Sequence, residues 1–294
     1  MKKLISLLTL VFCLSVSLVF AQSNGVGTNE QFHGPVGLQM YSLRSIAQND
    51  VEAAIKLAAD MGFKYVEASS FYDLTAEQYK ALLDKYGLIA AGRNYGWNEF
   101  TTDEGIQNIL NEAKIFGFKY AGIAWYGHSK EGMTEAEALD AAKKFNEAGK
   151  KLSEAGLIFV YHNHGYEFRK LENGTDETAF DVLIKNTDPK YVTFEMDTTW
   201  VIFPGADPAK YLLKYPGRFA LMHLKDLRKG VVGNLSGGTP VENDVTLGTG
   251  QANFPEIFKA AQETGVKYYF IEDESPSFEA QIPQSLKYLE TVRW

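Results

Sequence analysis

Residues 134–164 read TEAEALDAAKKFNEAGKKLSEAGLIFVYHNH, and they hold one complete repeat of the fold. Thr134 opens a long amphipathic stretch that runs to Ala155. Gly156 follows, the residue type that closes a helix in the left-handed conformation without steric cost. Leu157–His164 is then apolar until it ends in Tyr161-His162-Asn163-His164. A helix, a glycine and a short apolar strand with a polar end make the repeating unit of a parallel α/β fold.

The unit recurs along the chain. Strand candidates are Val36–Leu43, Tyr65–Ser70, Leu88–Tyr95, Tyr120–Gly127, Leu157–His164, Val192–Trp200, Phe219–Asp226 and Tyr268–Ser275. Helices lie between them. Asp50–Met61 places Val51, Ala54, Ile55 and Ala58 on one face. Thr75 caps Ala76–Tyr86, with Gln78 completing a capping box. Gly62, Gly87, Gly117, Gly156 and Gly265 each follow a helix and precede a strand. Eight such units in about 260 residues predict an α/β fold with a single (β/α)8 TIM barrel and a closed parallel sheet over residues 35–294. The first strand-to-helix turn, Tyr41-Ser42-Leu43-Arg44-Ser45, has no GxGxxG and so does not favour an open dinucleotide-binding sheet. The Gly- and Asn-rich segment Arg228–Asn253 reads either as a lid or as a disordered insertion.

Met1–Ala21, MKKLISLLTLVFCLSVSLVFA, reads as a secretory signal peptide cleaved before Gln22. Its apolar run, about 17 residues, sits at the lower limit for a membrane span, so an uncleaved anchor is the alternative. A periplasmic or secreted protein with no stable membrane anchor is expected. Residues 22–34 are expected to form a flexible leader. The 294 residues carry 29 Lys plus Arg against 37 Asp plus Glu, a net charge of −8. Loss of Lys2 and Lys3 with the signal deepens this to −10. Such a balance lacks the basic footprint of a general nucleic-acid binder. The single cysteine, Cys13, lies inside the signal, which leaves neither a disulfide nor a thiolate metal site. A homodimer stays open.

Barrel chemistry sits at the C-terminal ends of the strands. The fifth strand ends in His162 and His164, the sixth in Glu195 and Asp197, the seventh in His223, Lys225 and Asp226, and the eighth in Glu272, Asp273 and Glu274. Residues two apart on a strand share a face. One ligand from each of four adjacent strands (His162 or His164, Asp197 in preference to Glu195, His223, and Glu272) would ring a divalent cation. Nitrogen and oxygen donors without thiolate suit Mn²⁺, Zn²⁺, Co²⁺ or Fe²⁺ more than Ca²⁺. Mn²⁺ is the expected metal, with Mg²⁺ also open.

The motifs YHNHGYEF (161–168), FEMDTTW (194–200), MHLKD (222–226), LGTGQANFPEI (247–257) and FIEDE (270–274) resemble those of the xylose isomerase-like barrels. That superfamily holds sugar isomerases and epimerases, inosose dehydratase and endonuclease IV. The likeness covers about Val36 to Trp294. It implies a metal held by a Glu, an Asp, a His and a Glu from strands five to eight. Asp197, His223 and Glu272 match the last three; His162 stands at the first Glu. The epimerases use both ligand glutamates as acid/base groups, and here Glu272 alone remains in that role. His164, Glu67 and Glu195 are candidates for a second base.

The resemblance implies a metal-dependent sugar isomerase or epimerase that removes a proton beside a carbonyl. A lyase or dehydratase on the same scaffold, and a non-catalytic carbohydrate-binding barrel, are the alternatives. Glu272 is the expected base, with His164 or Lys225 protonating the departing oxygen. Glu67, Asn163 and Asp226 are expected to hold hydroxyls, and Tyr41, Trp125 and Trp200 to stack on the ring. Export and acidity point to a non-phosphorylated carbohydrate, with a 3-keto-glycoside as the specific candidate.

Overall fold

The computed structural model describes residues 25–294. The expected signal segment lies outside the described residues. Eight parallel strands close into a barrel: β1 (Val36–Gln39), β2 (Tyr65–Ala68), β3 (Ile89–Tyr95), β4 (Tyr120–Ile123), β5 (Ile158–His162), β6 (Val192–Asp197), β7 (Phe219–Leu224) and, last in the chain, β10 (Tyr268–Ile271). Around the ring the order is β1-β10-β7-β6-β5-β4-β3-β2. Two short strands, β8 (Asp226–Leu227) and β9 (Asp244–Val245), pair antiparallel beyond the end of β7.

The helices form as their caps dictate. Thr75 and Thr134 both make full capping boxes, with Gln78 and Glu137. Gly117 and Gly265 close their helices at φ of 74° and 86°, a left-handed conformation that costs glycine little. The apolar faces of these helices pack on the outside of the sheet. A small interior layer of Ala91, Tyr120, Val160, Leu221 and Phe270 fills the barrel below the site.

Three expectations are revised, and one open alternative is resolved. The sixth strand stops at Asp197, because its carboxylate caps a new helix, Thr198–Ile202, by accepting from Trp200 N at 3.0 Å. The first strand stops at Gln39, where the chain turns into a 3₁₀ segment, Met40–Leu43. The described part of the leader is docked. Phe32 is buried, stacked on Phe258 at 4.4 Å, and Asn29 donates to the carbonyls of Leu289 and Val292. Arg228–Asn253 is an ordered cover rather than a disordered insertion. Asp226 Oδ2 accepts from the backbone N–H of Gly248 and Gly250, and Oδ1 from that of Ala252.

Candidate active site

Strand register sets the site. His162 on β5 lies beside Glu195 on β6, and Asp197 on β6 beside His223 on β7. On the other side of the ring Gln39 lies beside Glu67. The pairing shifts by one residue between Val66 and Glu67, and again between Phe194 and Glu195. Such irregularities re-aim side chains, and these two fall at the two buried glutamates of the cluster.

His162 Nδ1 lies 3.1 Å from Glu195 Oε2. A carboxylate can only accept, so the ring proton sits on Nδ1 and the Nε2 lone pair is free. Nε2 faces Asp197 Oδ2 at 4.0 Å. That oxygen is buried without a hydrogen-bond partner, while Oδ1 holds the helix cap. Asn163 fixes the same residue from behind, its Oδ1 accepting from Asp197 N at 3.1 Å. His223 is surrounded by acids. Its Nε2 is 2.8 Å from Glu67 and 3.1 Å from Glu195, and its Nδ1 is 3.2 Å from Glu272 Oε2. Gln39 donates to Glu67. Lys225, buried, pairs with Glu274 at 2.6 Å, Asp244 at 3.4 Å and Glu272 at 3.5 Å.

The electrostatics divide the acids. Burial, aided by Glu195, pushes Glu67 up to about 8. Burial also pushes Asp197 up to about 8, against the pull of Lys225. Burial would raise Glu195 too, but the charge of His223 and the hydrogen bond from His162 outweigh it and hold it at about 2. Burial opposes ionisation of Glu272, yet Lys225 and His223 keep it well below the carboxylate range. His223 is held well above its usual value by Glu195, Glu272 and Glu67 despite burial, and Lys225 likewise by Glu272, Asp244 and Glu274. Burial, then neighbouring histidines, lowers both His162 and His164, so both imidazoles are neutral.

Two raised acids, Glu67 and Asp197, in one buried cluster suit a divalent cation. Ligand atoms of His162, Asp197 and His223 lie within 4.8 Å of one another, and so do those of Glu67, Glu195 and His223. A divalent cation lowers the pKa of neighbouring acids and gives the orphaned Asp197 Oδ2 a partner. The donor set is histidine nitrogen plus carboxylate oxygen, as a transition metal prefers. Glu195 then stands behind His162 as its orienting carboxylate.

Above the cluster a cavity of about 640 Å³ opens at the barrel mouth. Its lining includes the expected Tyr41, Trp125, His162, His164, Trp200, His223 and Glu272. Asn163 and Asp226 are outside the lining; the first positions Asp197 and the second anchors the 248–252 backbone. Glu67 and Lys225 lie beneath the cavity floor, bonded to the residues that do line it. Glu195, Gln39, Asp244 and Glu274 complete the network. The sequence signal for Glu195 and Glu274 was their two-residue spacing from Asp197 and Glu272; no local signal marks Gln39 or Asp244.

A closed parallel barrel with a buried His/carboxylate cluster beneath a cavity at its strand ends has the architecture of the active-site face of a TIM-barrel enzyme. Residues 55–292 match the xylose isomerase-like TIM barrel family, and the chain belongs to it. Among its relatives is inosose dehydratase of Bacillus cereus (strain AH820), 28% identical over 252 residues, which span 76% of this chain and 82% of that one. A solved sugar phosphate isomerase/epimerase from Parabacteroides distasonis ATCC 8503 superposes with a TM-score of 0.71 at 25% identity, covering 86% of this chain and 92% of that one. The IOLI protein, solved with a zinc atom, shares the fold at a TM-score of 0.61 and 13% identity, over 86% of this chain and 95% of that one. These relatives support a sugar-modifying enzyme.

Proposed function

We propose that this protein catalyses metal-assisted β-elimination from a cyclic β-hydroxy or β-alkoxy ketone of the sugar or cyclitol class. The observation that carries this reading is the asymmetry of the site. Glu272, held between His223 and Lys225 at 3.2 and 3.5 Å, is the carboxylate base, and His162 occupies the β5 position that a second ligand glutamate would take. Epimerisation wants an acid/base group on each face of the reacting carbon. Elimination needs one.

His162, Asp197, His223 and Glu272 would hold the cation, which supplies Lewis-acid polarisation of the ketone oxygen. Mn²⁺ or Zn²⁺ suits these donors, and the zinc of the IOLI protein adds weight to the latter. Glu272 takes the proton from the carbon beside the ketone, and the electron pair of that C–H bond becomes the new C=C bond. The β C–O bond breaks, its electron pair leaving with oxygen. Lys225 is locked in ion pairs with Glu272, Glu274 and Asp244, and neutral His164 carries only a weakly acidic ring N–H, so the proton reaches the departing oxygen from the Glu272 carboxyl. The products are water or an alcohol and an α,β-unsaturated ketone, and Glu272 is restored. Trp200, stacked beside His164 at 5.6 Å, walls the ring.

The substrate is non-phosphorylated in this account. Arg93 is the one lysine or arginine among the described lining residues, and Glu112 neutralises it, while His223 is enclosed by Glu67, Glu195 and Glu272. The inosose dehydratase relatives favour a keto-cyclitol or keto-sugar. Residues 1–21 favour an exported enzyme, and hence a substrate outside the cytoplasm. Incubating metal-loaded protein with a keto-inositol and with 3-keto-glucosides tests the reading. Ultraviolet absorbance of a conjugated ketone supports it. Epimer formation without elimination, or sugar binding without turnover, overturns it.

A further inference from the structure

The reacting groups occupy only half of the ring. His162, Asp197, His223 and Glu272 come from β5, β6, β7 and the end of β10, which are neighbours in the barrel except that β5 and β10 bound the group. The cavity extends across the other half. There Ser69 and Ser70 follow β2, Asn94 belongs to β3, Glu99 follows it, and Trp125 follows β4. In the ring β4 stands opposite β10, so Trp125 faces Glu272 across the mouth.

This far wall has the marks of a ligand surface, and the proposed chemistry uses none of it. Trp125 is 50% exposed, although it lines a cavity. Its ring is braced by His128 at 5.1 Å, His164 at 5.2 Å and Tyr166 at 5.0 Å. The covering loop reaches it too, since a Cβ on Gly237 would come within 3.3 Å of Trp125. A large apolar face held rigid and left open is a stacking platform for a sugar ring. Asn94 lines the same wall, with its Oδ1 packed against Gly122 of β4, and Ser69 and Ser70 add hydroxyls beside it. The cavity, about 640 Å³, lies mid-range for sites that enclose drug-sized ligands, roughly 300–1,000 Å³, which leaves room beyond one ring.

We propose that the β2–β4 side of the mouth is a second subsite that takes an uncharged, hydroxylated ring joined to the reacting one, so that the substrate class is a disaccharide-like keto-glycoside. The inference rests on the reading of Glu272 as the reacting side. Trp125 stacks on the second ring, and Ser69, Ser70 and Asn94 form the polar wall that its hydroxyls face. Phosphate is excluded from the subsite, since Glu99 adds negative charge and Arg93 is committed to Glu112.

Calorimetric titration of the full mature chain with unreactive sugars tests this without any need for turnover. The probes are methyl glucosides, the disaccharides trehalose, maltose, cellobiose and laminaribiose, and nitrophenyl glucoside. At least one disaccharide should bind about tenfold more tightly than the methyl glucosides, the size of one good ring contact. Trp125→Ala and Asn94→Ala should reduce affinity more for that disaccharide than for the methyl glucosides. Equal affinities across the panel overturn the subsite. Tight binding of nitrophenyl glucoside alone overturns the hydroxylated ring in favour of an aromatic one. If disaccharides are preferred and no keto-sugar is turned over, the elimination reading falls and the subsite stands. If a keto-inositol is turned over and no disaccharide is preferred, the subsite alone falls.

Discussion

Nε2 of His162 faces Oδ2 of Asp197 at 4.0 Å, and each is turned toward the other by a partner behind it. Glu195 holds Nδ1 of the histidine, and the helix cap at Trp200 holds Oδ1 of the aspartate. Both donors are thereby aimed at one point. A divalent cation at about 100 times its dissociation constant should stabilise the fold by about 2.7 kcal/mol. For a chain of this size that raises the melting temperature by about 5 °C or more. Scanning calorimetry with Mn²⁺ and Zn²⁺ checks this, and Asp197→Asn should abolish the shift.

Lys225 is the buried counter-charge of Glu272, Glu274 and Asp244. Removing it strands acids in the interior, a loss of about 3–5 kcal/mol for a broken buried pair. Lys225→Met should lower the urea midpoint accordingly and reduce turnover, because Glu272 loses its largest stabiliser of the ionised form. An unchanged midpoint would show the cluster to be solvated.

Glu167 gives a pH signature separate from the metal cluster. Its carboxylate accepts from Tyr161 Oη and from His164 N, and burial raises it from 4.5 to about 7. A raised acid favours the folded state fully below pH 4.5, and that contribution is lost as pH rises to about 7. The change is on the order of 3 kcal/mol, at about 1.4 kcal/mol per pKa unit. Glu167→Gln should flatten the stability profile over that window and make the variant comparatively more stable above it. Urea unfolding from pH 4.5 to 8 reads both.

Asp226 anchors the covering loop through Gly248, Gly250 and Ala252. Asp226→Ala leaves those N–H groups unpaired, about 1–3 kcal/mol for each that stays buried. Limited proteolysis should then cut within 228–252 faster than in the parent, with a fall in kcat/KM. Equal proteolysis of the two proteins would mean that the loop is held elsewhere.

The barrel was legible because its signals are local. Thr134 with Glu137, Thr75 with Gln78, and glycines such as Gly117 and Gly265 mark helix ends without reference to the rest of the chain. The strand-end residues were legible through two-residue alternation, which puts Glu195 and Asp197 on one side. Their division of labour was not. It depends on the register shift at Glu195 and on the cap that Asp197 makes after its strand stops. Asp226 looked like a hydroxyl ligand because its partners are backbone N–H groups 22 to 26 residues further on. Phe32 sits in a polar stretch, and its burial depends on Phe258 and Trp294, near the far end of the chain.

The central claim is that Glu272 removes a proton beside a ketone. Nuclear magnetic resonance in D₂O, with metal-loaded protein and a keto-inositol or 3-keto-glucoside, measures that step directly. The account predicts deuterium at the α-carbon or its loss into a conjugated ketone, slowed by about 10²–10⁴-fold in Glu272→Gln. Absence of exchange and elimination in the parent, or an equal rate in the variant, would contradict it.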